Sequence, residues 1–238
     1  MVPHQGRSWK QIGLLQARPC HRPPGESRWH RVKTEQALLV RLSAAIAVRD
    51  SRILRATLRE CALQADPEEV EEVILQSYLF LGYPIALNAF ALWREISGEK
   101  AGPAAVHAPE SWEERGEGVC QIVYGGKYEK LRANVRAMHP DMERWMVMEG
   151  YGKVLGRTGL HLATRELCIV ALLSVLGAPR QLYSHLRGAL NAGASPGEVD
   201  RALQEVSEFQ DEKRRQEARD TWGQVLAQDQ SPQTGSRD

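Results

Sequence analysis

From Thr34 onward, apolar residues recur every three or four positions, the period of helices that each bury one stripe. TEQALLVRLSAAIAV predicts a first helix and SRILRATLRECALQA a second. Asp66 then opens the run D-P-E-E, with Asp66 as N-cap, Pro67 at the first helical position and Glu69 completing a capping-box-like pair. The third helix carries Val70, Val73, Ile74, Ser77 and Tyr78, and Pro84 ends or kinks it near Gly82. ALNAFALWREI predicts a fourth. GEKAGPAAVHAP, from Gly98 to Pro109, is rich in Gly, Pro and Ala and reads as a linker. Beyond it, KYEKLRANVRAM and PDMERWMVMEGYGKVL restore the helical period.

The stretch Ala163–Gly193 predicts two helices joined by a tight turn. Thr164 is placed to cap the first, with Glu166 in its first turn, where a negative charge suits the helix dipole. The residues from Leu167 to Leu176 are apolar nearly all round, which predicts deep burial. Gly177 supplies a left-handed C-cap and Pro179 starts the return helix, which carries Leu182, Leu186, Ala189 and Leu190. S-P-G-E at Ser195 is a capping box that opens a long charged helix running towards Leu226.

The pattern occurs twice. Pro67 and Pro196 stand 129 positions apart (196 − 67), and so do Val70 and Val199, Ile74 and Leu203, and Trp93 and Trp222. A fixed offset of this kind marks an internal repeat. The expected fold is therefore all-α, with two tandem helical units. The expected division is a disordered Arg/Pro-rich tail (1–32), a first, degenerate unit (33–97), a linker (98–110), a second unit (111–228) and a disordered C-terminal tail (229–238). The first tail has no apolar core of a secretory signal; its arginines leave a transit peptide as the other reading.

Lys and Arg number 31 against 30 Asp and Glu, a balance that gives no reason to expect nucleic acid or an anionic membrane as partner. No apolar run approaches the ~20 residues of a membrane span. Cys20, Cys61, Cys120 and Cys168 are scattered, with no Cys-x-x-Cys pair, and read as reduced thiols of a cytoplasmic protein. No His-x-x-x-His, Glu-x-x-His or cysteine cluster suggests a metal, so none is expected.

Two polar residues stand out in the apolar central stretch, Glu166 and His185. ATRELCIVALLSVLGAPRQLYSHLRGALNAG resembles the core of the carboxymuconolactone decarboxylase family, which includes the alkylhydroperoxidase-D-like proteins. ERGEGVCQIVYGGKYEKL and GYGKVLGRTGLHLATRE resemble its decarboxylase branch. The resemblance spans roughly Trp112 to Val206. It implies His185 as a catalytic acid and Glu166 as its orienting partner, acting on a small anionic lactone acid without a cofactor. A Glu–His pair fixes the imidazole tautomer and suits proton donation near neutral pH. The peroxidase-like branch carries Cys-x-x-Cys-x-x-x-His; here Ala178 and Gln181 stand where its cysteines would be, which excludes thiol chemistry at that motif.

The first unit has Ala56 at the position of His185, while YLFLGYPIALNAF resembles the family's Tyr-x-Gly-x-Pro-like segment, which the second unit has lost to Asp211, Glu212 and Lys213. A composite site is expected, with Tyr83 from the first unit beside the second unit's pair. Arg187 is the candidate for the substrate carboxylate, although two residues of helix set it about 200° from His185. The resemblance also implies a homo-oligomer, here a trimer of two-unit chains forming a pseudo-hexamer. The competing function is a non-catalytic helical oligomer that binds a small ligand or partner.

Overall fold

In the computed structural model, residues 28–102 and 110–229 are described, and every regular element among them is helical. Most of the N-terminal tail, most of the linker and the C-terminal tail lie outside the described residues. The first four helices are α1 (Arg28–Val48), α2 (Ser51–Gln64), α3 (Pro67–Leu81) and α4 (Tyr83–Ser97). After the linker come α5 (Glu110–Tyr124), α6 (Tyr128–Met138) and α7 (Pro140–Trp145), which runs on into a π-helical segment (Met146–Leu155). Four more follow: α8 (Leu162–Leu176), α9 (Pro179–Asn191), α10 (Pro196–Glu205) and α11 (Glu212–Asp229).

Local chemistry sets most of these boundaries. Asp50 and Asp66 cap α2 and α3, each accepting a bond from the backbone N–H two residues on. Glu69 does not close a box with Asp66; the Asp66 N–H donates to Glu35, which reaches over from α1 (2.7 Å). The Ser195 box forms as expected, with Glu198 accepting from the Ser195 N–H at 2.8 Å. Gly177 adopts the left-handed conformation (φ 70°) that lets α8 turn back into α9.

Three expectations need correcting. Thr164 is not the cap of α8: the N-cap stands three residues earlier, at His161, whose Nδ1 accepts from the Ala163 N–H. Glu166 consequently sits past the first turn, where dipole compensation no longer explains it. The long charged helix after Ser195 is two helices, because the Asp211 carboxylate caps a new start by accepting from the Arg214 N–H (2.8 Å).

The central contact is α1 against α8, and each leads a hairpin, α1–α2 and α8–α9. The surroundings match on both sides. Helix α4 packs on α2 as α11 packs on α9, while α3 lies against α8 and α10 against α1. Trp93 donates to Glu71 (3.4 Å), and Trp222 donates to Asp200 (2.6 Å). Both members of the second pair stand 129 positions (222 − 93, 200 − 71) from those of the first. At the α1–α8 crossing, Ser43 Oγ donates to the Cys168 carbonyl at 2.7 Å, using one of the few polar atoms in an otherwise aliphatic seam.

A buried ion network ties α3 to the start of α8. Arg165 is fully buried; it donates to Glu72 at 2.6 Å and to the carbonyls of Leu160 and Arg157. The Arg157 guanidinium grips the same carboxylate at 2.7–3.0 Å. Burial pushes the Glu72 carboxyl up, but hydrogen bonds from Arg157 and Arg165 outweigh it and hold the group below the usual 4.5. A folded value below the unfolded one means that the stabilisation is complete above about pH 4.5 and is lost as pH falls through the folded value. Glu72→Gln, which leaves Arg165 buried without its counter-charge, is expected to cost roughly 3–5 kcal/mol at neutral pH. Urea unfolding should show the gap between the two proteins narrowing as pH drops from about 7 to about 3.

Candidate functional site

Glu166 lies one turn into α8 and is completely buried. Because α9 returns antiparallel beside it, His185 comes level with the carboxylate two turns after Pro179. His185 Nδ1 stands 2.8 Å from Glu166 Oε2. The approach depends on Gly188, one turn further along α9. A Cβ there would stand 2.7 Å from Glu166 Oε2 and 2.7 Å from Val123 Cγ1. Asn191 reinforces this packing from the end of α9, donating to the Val123 carbonyl at 2.9 Å.

The wall behind the carboxylate comes from α5 and the π-helical segment. These two backbones run so close that a Cβ at Gly116 would stand 2.1 Å from the Val147 carbonyl oxygen, and one at Gly152 1.9 Å from that of Trp112. That approach seats Tyr151 beside Tyr124, with their hydroxyls 2.7 Å apart. Burial, above all, raises both phenols above their ordinary range, and the negative Glu166 carboxylate raises them further. Both hydroxyls therefore stay neutral.

Glu166 Oε1 is buried and makes no hydrogen bond among the described residues. A buried carboxylate oxygen without a donor is costly and unusual. The His185 side chain keeps 8% of its surface, and its Nε2 is held by no partner among the described residues. The Phe80 ring stands edge-on to the imidazole, with centroids 5.8 Å apart. The imidazole thus meets a carboxylate on one side and an aromatic ring on another.

Of the four residues expected at the site, the structure brings two together. Glu166 and His185 meet. Tyr83 does not reach them: it is 59% exposed in the first turn of α4 and stacks on Tyr78, whose hydroxyl donates to Glu149 at 3.5 Å. The first unit's segment does reach the imidazole, through Phe80. Arg187 lines a concavity with Tyr124, Lys127 and Lys130, which the helical offset from His185 anticipates. Phe80, Tyr124, Tyr151 and Gly188 carried no local signal, because only the packing of distant segments assembles them. Arg165 did carry one, as a charge in an apolar helix beside Glu166.

Cys61, Cys120 and Cys168 are free and buried. Burial pushes the Cys61 thiol up to about 12 and raises those of Cys120 and Cys168 well above their usual value, so none supplies a thiolate near neutral pH. Among the described residues no group of three His, Cys, Asp or Glu is placed to hold a metal ion, and no helix is long and apolar enough to cross a membrane.

Residues 140–219, the segment that carries both Glu166 and His185, match the sequence model of the carboxymuconolactone decarboxylase family. No curated protein matches the chain. Gly188→Ala is expected to drive Glu166 and Val123 apart from α9 and to destabilise the fold by about 1–3 kcal/mol. In imidazole 15N spectra the His185 ring should then lose the signature of an Nδ1–H bonded to a carboxylate.

Proposed function

We propose that this carboxymuconolactone decarboxylase family segment works as a cofactor-independent acid–base site acting on a small lactone carboxylic acid. The observation that carries the reading is the 2.8 Å contact between buried Glu166 and His185, with the imidazole Nε2 left uncommitted. Glu166 accepts from Nδ1–H and so fixes which nitrogen faces the substrate. Decarboxylation breaks the bond between the carboxylate carbon and the ring carbon, and the electron pair passes into the lactone carbonyl as an enolate. CO2 leaves. The imidazolium form of His185, with Nδ1–H still on Glu166, then delivers its Nε2 proton to a ring carbon of the enolate, and the neutral ring is recharged from water. The lactone is its own electron sink, so these steps need donors and an acid and no further electrophile.

The exposed rim of α4, with Tyr83 and Leu87 one turn apart at 59% and 62% exposure, supports an oligomer of two-unit chains, of which a trimer is the form proposed. The matched packing of the two hairpins supports descent of both units from one duplicated segment. The small opening at His185 favours the second reading, a helical oligomer that holds a ligand without converting it.

Incubation with carboxymuconolactone-type acids should release CO2, and His185→Ala should slow the release by roughly 10²–10⁴-fold. Binding without release, unchanged in rate by His185→Ala, would favour the second reading. Light scattering should give a mass near three times the 26.7 kDa chain, and a monomer would overturn the assembly.

A further inference from the structure

On the face of α9 turned away from His185 lies a concavity of about 280 Å³ between α5, α6 and α9. Three cations line it: Lys127 from the turn after α5, Lys130 from α6 and Arg187 from α9. Among the described residues no carboxylate lines it. None of the three forms an ion pair among the described residues, although Lys127 Nζ lies 5.9 Å from the centroid of the Tyr183 ring. Like charges repel, so three that converge on one hollow raise its potential and draw in anions. Asn134 and Ser184 add neutral polar groups to the wall. Leu131, Tyr124 and Tyr183 present aliphatic and aromatic surface.

We propose that this concavity is a second ligand site, separate from the Glu166–His185 pair, which binds a small di-acid with a planar, unsaturated body. Two carboxylates answer the three cations, and the Arg187 fork suits a carboxylate in particular. The body lies against Leu131 and the tyrosine rings, which a bare inorganic anion would leave in water. The volume is at the small end of ligand pockets, about 300 Å³ and upward, and suits a single ring with its substituents.

Calorimetric titration of the full chain with benzene-1,2-dicarboxylate tests the assignment, with benzoate and inorganic phosphate as the other arms. The di-acid should bind saturably, at least tenfold tighter than either, and more weakly as salt rises. Lys130→Gln and Arg187→Gln should each weaken it about tenfold, while far-ultraviolet dichroism confirms that both variants fold. His185→Ala should bind it as the parent does, so loss of CO2 release and loss of this site are read separately. Absence of saturable binding, phosphate binding as tight as the di-acid, or affinity indifferent to both substitutions would overturn the proposal.

Discussion

Two consecutive charges, Arg165 and Glu166, are completely buried in a helix that is otherwise largely apolar, and much of the molecule is arranged around satisfying them. A buried ion without a partner costs several kcal/mol, so each must recruit one from elsewhere in the chain. Adjacent residues on a helix point about 100° apart and recruit in different directions. Arg165 takes Glu72 from α3, and Glu166 takes His185 from α9. The first union docks α3 onto the start of α8; the second creates the candidate site.

The two unions differ in completeness. Arg165 spends its donors on Glu72, Gln76 and two backbone carbonyls, and Glu72 is held from both sides by arginines. That network is closed and structural. Around Glu166, by contrast, one carboxylate oxygen and one imidazole nitrogen have no partner among the described residues. Polar capacity withheld from the fold is what a reacting group needs. The surrounding wall holds it rigidly: close backbone crossings at Gly116 and Gly152 seat Tyr151, and Gly188 lets α9 lie against the carboxylate.

The likeness between the two hairpins stops at the Glu166–His185 pair. Both keep a proline at the start of the third helix and a tryptophan that donates to an acid 22 residues earlier. Yet Ala37 and Ala56 occupy the positions, 129 residues back, that Glu166 and His185 hold in the second unit (166 − 37, 185 − 56). The N-terminal helices therefore contribute frame and Phe80, and neither member of the pair.

Much of this was determined by the chain read alone. Helical period, proline starts, the Gly177 turn and the Ser195 box act within a few residues, so they are legible locally. The 19-residue spacing of Glu166 and His185 was visible too, as two polar groups in apolar surroundings. Their actual contact was not, because it depends on the stagger of α8 against α9, which Gly188 and the α5 wall decide. Tertiary structure also turned Tyr83 outward onto Tyr78, whereas the turn of Arg187 to a separate hollow was already implied by its helical offset from His185. Periodicity tells which face of a helix is buried; only the meeting of distant segments settles what that face is buried against.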